Sequence, residues 1–173
     1  MEECAKEGDR QFWHRMLIRA LFAQIEGEIY CMKQIVLDSA LEDGAITHLR
    51  RGEIAILSEE SYELKENLKV QINDKFIRLE YNMPFAFREF AHIYDIDFEV
   101  SPNRKFFEDA VRIRNQITHP KNLDDVNISD DDFSTVKSAM DWYHEEHKKT
   151  VWKDCWQIDD GQNRSNNTLN AKH

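Results

Sequence analysis

A chain of 173 residues, 41% hydrophobic and 11% aromatic, is long enough for one real core and too short for two independent ones. Five glycines and three prolines are too few for a turn-rich all-β architecture, so helices are favoured. A formal net charge of -10 excludes a globally basic nucleic-acid surface and leaves local patches as the only route to a phosphate backbone. Cys4, Cys31 and Cys155 are odd in number and lack metal-ligand spacing, which fits reduced thiols. No hydrophobic run suits a signal peptide or membrane span, so the expected location is cytoplasmic, without a membrane partner.

In chain order, Asp9 is the expected N-cap of a long first helix reaching about Ala40, with residues 1–8 frayed. Trp13, Leu17, Leu21, Ile25, Ile29, Met32 and Val36 recur at threes and fours and predict its buried stripe. A second line through Ile18 and Phe22 widens that stripe toward a partner. Gly27, which costs ~1 kcal/mol relative to Ala in a helix, marks a close approach or a kink. Residues 41–51 read as a connection and 53–57 as a short helix. Residues 61–64 and 69–72 read as arms of a small hairpin that has to pack on the bundle to be stable.

Residues 76–79 lead into a helix carrying Phe87, Phe90, Ala91 and Tyr94, with Pro84 expected in its first turn. Ser101 and Pro102 predict the next helix start, an N-cap hydroxyl ahead of a residue that needs no N–H. In that helix Phe106, Ala110, Ile113 and Ile117 form the buried face. Arg112, Arg114, Asn115 and His119 lie off it, with Asn115 and His119 one helical step of four apart. Pro120 ends the helix and leaves the His119 imidazole at its exposed C-terminus. Ser129 and the three aspartates after it cap a last helix whose stripe is Phe133, Val136, Met140, Tyr143, His147 and Val151. The composition of 157–173 is that of a disordered polar tail, so the domain is placed at 1–156.

The run Arg114-Asn115-Gln116-Ile117-Thr118-His119 follows the pattern R-N-x-x-x-H and resembles the signature of the HEPN superfamily of small helical-bundle proteins. The resemblance implies an all-α, up-and-down bundle of four or five helices, here with a β-hairpin insertion, and a homodimer formed through the first helix and the motif helix. It also implies a metal-independent endoribonuclease without cofactor, acting on RNA in toxin-antitoxin or phage-defence systems, where an antitoxin or another protein is a further partner. Some members keep the fold as non-catalytic binding or dimerisation modules.

The chemistry fits those residue types. Attack of an RNA 2′-hydroxyl on the adjacent phosphorus needs a base, an acid for the leaving 5′-oxygen, and positive charge on the phosphate. An imidazole, which titrates near pH ~6.5 when unperturbed, gives His119 the proton-transfer role. The planar guanidinium of Arg114 can grip the phosphate, and Asn115 can orient the imidazole or the ribose. One histidine cannot be base and acid at once, and a two-fold dimer would supply the second. The alternative makes Arg114 and Asn115 a polar helix end that caps carbonyls or pairs with glutamates of the first helix.

Basic candidates for RNA contact are His48, Arg50 and Arg51, Arg104 and Lys105, Arg112 and Arg114, and Lys121. Glu26 and Glu28 are expected on the solvated surface rather than supporting the site. His144 and His147, flanking Glu145 and Glu146, lack the further ligand a metal site needs and read as structural. Trp152 and Trp156 read as core or dimer contacts.

Overall fold

The computed structural model describes the backbone of residues 2–42, 49–102 and 104–167, and the side chains of 6–40, 49–102 and 104–151. Among these residues are five helices: α1 (Glu2–Glu42), α2 (Arg51–Leu57), α3 (Leu79–Ile93), α4 (Lys105–Thr118) and α5 (Asp130–Asn167). Strands β1 (Glu60–Leu64) and β2 (Val70–Asp74) lie between α2 and α3, and a 3-10 turn spans Asp124–Val126. The architecture is therefore a helical bundle with a two-stranded insertion. No helix among the described residues is long and apolar enough to cross a membrane.

α1 packs chiefly along α3, and α4 along α5. The four long helices meet at one aromatic node. The Phe107 ring of α4 lies 6.2 Å from Phe22 of α1, 5.4 Å from Trp142 and 6.4 Å from Tyr143 of α5, while Tyr143 lies 5.8 Å from Phe87 of α3. Such ring pairs add ~0.5–1.5 kcal/mol each beyond area burial. They tie α4, the motif helix, to α1 and α5 directly and to α3 through Tyr143.

Several local expectations are corrected. α1 begins at Glu2 rather than at an Asp9 cap, because residues 2–8 contain good helix formers such as Ala5 and Lys6. Its buried face is Ile18, Phe22, Ile25, Ile29, Met32, Val36 and Ala40, and Trp13 and Leu17 are 66% and 46% exposed. Two apolar lines with the same spacing competed for the core, and packing chose the second. In α4 likewise Phe107 is buried and Phe106 is half exposed.

The α4 helix starts at Lys105 instead of at Ser101 and Pro102. The Ser101 backbone N–H donates to the buried Glu146 carboxylate of α5 at 3.3 Å, so that residue is held in the loop. Pro84 sits beyond the first turn of α3, whose first residue is Leu79; its missing N–H withdraws the helical donor from the Glu80 carbonyl.

Other expectations hold. Ser129 caps α5 reciprocally: its Oγ accepts from the Asp132 N–H at 3.1 Å, and the Asp132 carboxylate accepts from the Ser129 N–H at 3.1 Å and from Oγ at 2.6 Å. The hairpin forms with Tyr62 opposite Ile72 and Leu64 opposite Val70. It does not pack its apolar side chains on the bundle, since Tyr62, Leu64, Val70 and Ile72 are all more than half exposed.

The hairpin is held at its root instead. The Lys33 ammonium of α1, 1% exposed, donates to Glu59 Oε1 at 2.7 Å and to Asn82 Oδ1 of α3 at 3.1 Å, and Asn82 Nδ2 donates to the same Glu59 oxygen at 2.9 Å. Lys75 N–H closes the root on the Glu59 carbonyl at 2.6 Å.

The α5 backbone continues as helix to Asn167, through the start of the segment expected as a polar tail. Residues 168–173, His48 and the side chains of Cys4, Cys155, Trp152 and Trp156 lie outside the described residues. Cys31 is an exposed free thiol.

Candidate functional site

α4 carries two faces. Phe107, Ala110, Ile113 and Ile117 point inward, while Glu108, Arg112, Asn115 and His119, spaced by four, three and four, form the opposite polar row. Arg114 lies between them on the flank toward α1, with its side chain 22% exposed. Its guanidinium donates through Nη1 to Asn115 Oδ1 at 2.9 Å and through Nη2 to the Glu26 carboxylate of α1, which engages two of its five N–H donors. His119 is the C-cap residue of α4, and its backbone N–H bonds the Asn115 carbonyl at 2.9 Å. Its imidazole is exposed and makes no hydrogen bond or ion pair among the described residues.

The end of α4 is fixed from α1. Arg19 Nη2 donates to the Ile117 carbonyl at 2.6 Å, placing a cation where the helix dipole is negative, and Arg15 Nη1 holds the following 3-10 turn by donating to the Val126 carbonyl at 2.9 Å. Beyond Pro120 the chain is stitched to itself. The Asp125 carboxylate accepts from the Lys121 and Asn122 N–H groups at 2.7 and 3.2 Å, and Asn122 Oδ1 accepts from Asp124 and Asp125 N–H. His119 therefore projects from a braced helix end.

Arg114, Asn115 and His119 share one cleft of about 820 Å³, walled by α1, α4, the start of α3 and the segment joining it to β2. Arg78 and Arg112 also line it, together with the carboxylates of Glu26, Glu59, Glu80 and Glu108. Each carboxylate has a cationic neighbour: Glu26 has Arg114, Glu59 has Lys33, Glu80 has Arg78 and Glu108 has Arg104. Burial pushes the Glu59 carboxyl up, but the hydrogen bonds from Lys33 and Asn82 and the Lys33 charge outweigh it, leaving the group below its ordinary value. Of the other basic candidates, Arg104 and Lys105 line a shallower adjoining depression, and Arg50, Arg51 and Lys121 line neither.

Glu26 and Glu28 are not merely solvated surface, because both accept hydrogen bonds from the bundle. Glu28 takes the buried Tyr143 hydroxyl at 2.5 Å and lies 3.7 Å from His147 Nε2. Burial and this bond raise the Tyr143 phenol far above its usual range, so it stays protonated. Burial lowers His147, and His144 lowers it further, against the attraction of Glu28. Its ring also meets Phe87 edge-on at 6.1 Å, the packing role the sequence implied. No three His, Cys, Asp or Glu side chains gather as a metal-binding group among the described residues.

The pairing of Arg114 with a glutamate of the first helix, raised in the alternative reading, forms with Glu26, whereas Tyr30 and Arg78 were missed as neighbours of the motif. A signal was present for Tyr30: Phe12, Met16, Arg19, Ala23, Glu26 and Tyr30 repeat at four and three along one edge of α1, the edge that meets the end of α4. Arg78 has no such marker, since it reaches the cleft from a loop. Compared with family models, curated proteins and solved structures, the chain matches none.

Proposed function

We propose that the chain is a metal-independent endoribonuclease of HEPN type, with Arg114 holding the scissile phosphate, His119 moving protons and Asn115 positioning. The observation that carries this reading is that the three residues of the R-N-x-x-x-H run line one cleft, with an unengaged imidazole at its rim. Arg114 keeps three N–H donors for phosphate oxygens while Glu26 and Asn115 hold its plane.

The 2′-hydroxyl would give its proton to one imidazole, its oxygen would bond phosphorus, and the 5′-oxygen would leave with a proton from a second imidazole. The product ends are a 2′,3′-cyclic phosphate and a free 5′-hydroxyl. The second imidazole comes from a second copy across a two-fold axis. The first half of α1 carries exposed apolar side chains: Phe12, Trp13, Met16 and Leu17 are each more than 40% exposed, with Phe12 and Trp13 rings 5.3 Å apart. Exposed apolar side chains grouped along one helix edge support a surface for a second copy. A role in toxin-antitoxin or phage defence, with an antitoxin as partner, rests on the family resemblance alone.

The test is cutting of RNA by purified protein in EDTA, with 2′,3′-cyclic phosphate ends. His119→Ala should slow it at least ~10²-fold, the usual worth of a general acid or base, with oligomeric state unchanged in sedimentation. Cutting indifferent to that substitution would refute the assignment.

A second reading, a non-catalytic module that binds a protein or nucleotide in the same cleft, is favoured by the Arg114–Glu26 ion pair and the four carboxylates on the cleft walls. Under that reading no RNA is cut. Glu26→Gln then weakens partner binding or leaves it unchanged, whereas in the nuclease it alters the hold on phosphate.

A further inference from the structure

We infer that the wall of the cleft formed by Tyr30, Phe76, Arg78 and Arg112 is a subsite for a nucleotide of single-stranded RNA next to the scissile phosphate. This rests on the nuclease reading for the identity of the bond cut, while the binding itself is tested separately.

Two aromatic rings line this cleft with their faces largely uncovered. Tyr30 is 61% exposed and Phe76 is 87% exposed. Tyr30 stands one helical turn along α1 from Glu26, the residue that holds Arg114, so the aromatic wall begins next to the phosphate-gripping group. An exposed ring inside a concave site is suited to stacking on a base, and base–aromatic stacking needs a base already free of a duplex.

Charge points the same way despite the net -10 of the chain. Three of the four carboxylates in the cleft are in close ion pairs with Arg114, Lys33 and Arg104. Arg78 and Arg112 are the loosely held cations. Each has its nearest carboxylate only at 3.9 Å, to Glu80 and Asp109, and their side chains are 71% and 66% exposed. They can therefore turn toward a phosphate without breaking a tight pair. Arg112 lies on the same α4 row as Asn115 and His119, which puts it in line with the backbone of a strand whose phosphate sits at Arg114. Two exposed rings and two loosely paired guanidinium groups lining one cleft make a single-strand platform, and the cleft volume suits a ligand of nucleotide size or somewhat larger.

The probe is a fluorescein-labelled oligoadenylate carrying 2′-O-methyl groups, which lacks the attacking hydroxyl and cannot be cut. Anisotropy with the intact wild-type protein should show saturable binding, with the duplexed probe at least ~10-fold weaker. Tyr30→Ala and Phe76→Ala should each weaken binding about 5- to 150-fold, the range expected for loss of one stacked base. Arg112→Gln should lower the slope of log affinity against log salt by ~0.7, as for one lost contact to a single strand. Absent binding, equal affinity for the duplex, or wild-type affinity in both aromatic variants would overturn the subsite. Binding that depends on Tyr30 and Phe76 in a protein that does not cut RNA would keep the subsite and remove the nuclease. Cutting whose KM and cleavage positions are unchanged in Tyr30→Ala and Phe76→Ala would do the reverse.

Discussion

Two clusters of the same composition, each a cation, a glutamate and an asparagine, contribute to the cleft wall, one through Glu59 and Asn82, the other through Glu26, Arg114 and Asn115. Lys33, Glu59 and Asn82 close a triangle of three hydrogen bonds around an ammonium that is 1% exposed. Arg114, Glu26 and Asn115 form only an open chain, with the guanidinium in the middle and 22% exposed. The difference separates scaffold from site. A buried ammonium must be matched fully, because an unpaired charge in low dielectric costs several kcal/mol. A guanidinium at a cleft wall can keep donors in reserve, because water covers them until a ligand arrives. The first cluster pins the root of the hairpin; the second leaves Arg114 both oriented and incomplete.

That contrast can be broken by removing one carboxylate at a time. Glu59→Gln should cost about 3 kcal/mol or more in urea unfolding, since it leaves the Lys33 charge buried without its counterion. Glu26→Gln should cost less than about 1 kcal/mol, as for a partly exposed pair. Equal losses in the two variants would erase the distinction. On the proposed nuclease reading, the larger effect of Glu26→Gln should fall on RNA cutting, through a changed KM, because the plane of Arg114 loses its outer support.

Acid should reveal a smaller difference. The folded value of Glu59 lies below its ordinary 4.5, so the unfolded chain binds its proton first and stability rises with pH across that window. The contribution of Glu59 is thus complete above about pH 4.5 and lost as pH falls through the lower folded value. Glu59→Gln should remove that part of the acid limb.

His147 acts earlier and in the same direction. Its folded value lies below 6.5, so stability declines as pH falls from about 6.5 toward that value, and His147→Gln should flatten this portion of the curve. Thermal midpoints measured from pH 8 to pH 3 in both variants would separate the two steps. The α5 cap stands outside the contrast between the two clusters. Ser129→Ala should cost ~1 kcal/mol, and neither cluster should respond.

Much of the local structure could be read from residues before any contact was known. Ser129 and Asp132 announce the cap of α5, and the alternation around residues 65–68 announces the hairpin, because turn and cap chemistry depend on neighbours in sequence. Which of two equal stripes would be buried could not be read. Trp13 and Leu17 in α1, and Phe106 in α4, have the same spacing as the residues that took the core, and periodicity fixes the width of a face but not its direction. The hairpin was expected to need the bundle beneath it, whereas a buried Lys33 from 26 residues upstream of Glu59 holds its root.

The amino-acid order alone determined a helical domain, a hairpin insertion and a motif helix that ends at Pro120 with Asn115 and His119 on one row. These follow from periods of 3.6 and 2 and from the backbone limits of proline, all set within a few residues. Only the tertiary structure decided that Glu26 would meet Arg114, that Glu28 would meet Tyr143, and that Tyr30, Phe76 and Arg78 would share a cleft with the motif. The physical reason is distance along the chain. Eighty-eight residues separate Glu26 from Arg114, and only the burial of the apolar faces of α1, α3, α4 and α5 on one another brings their polar edges together.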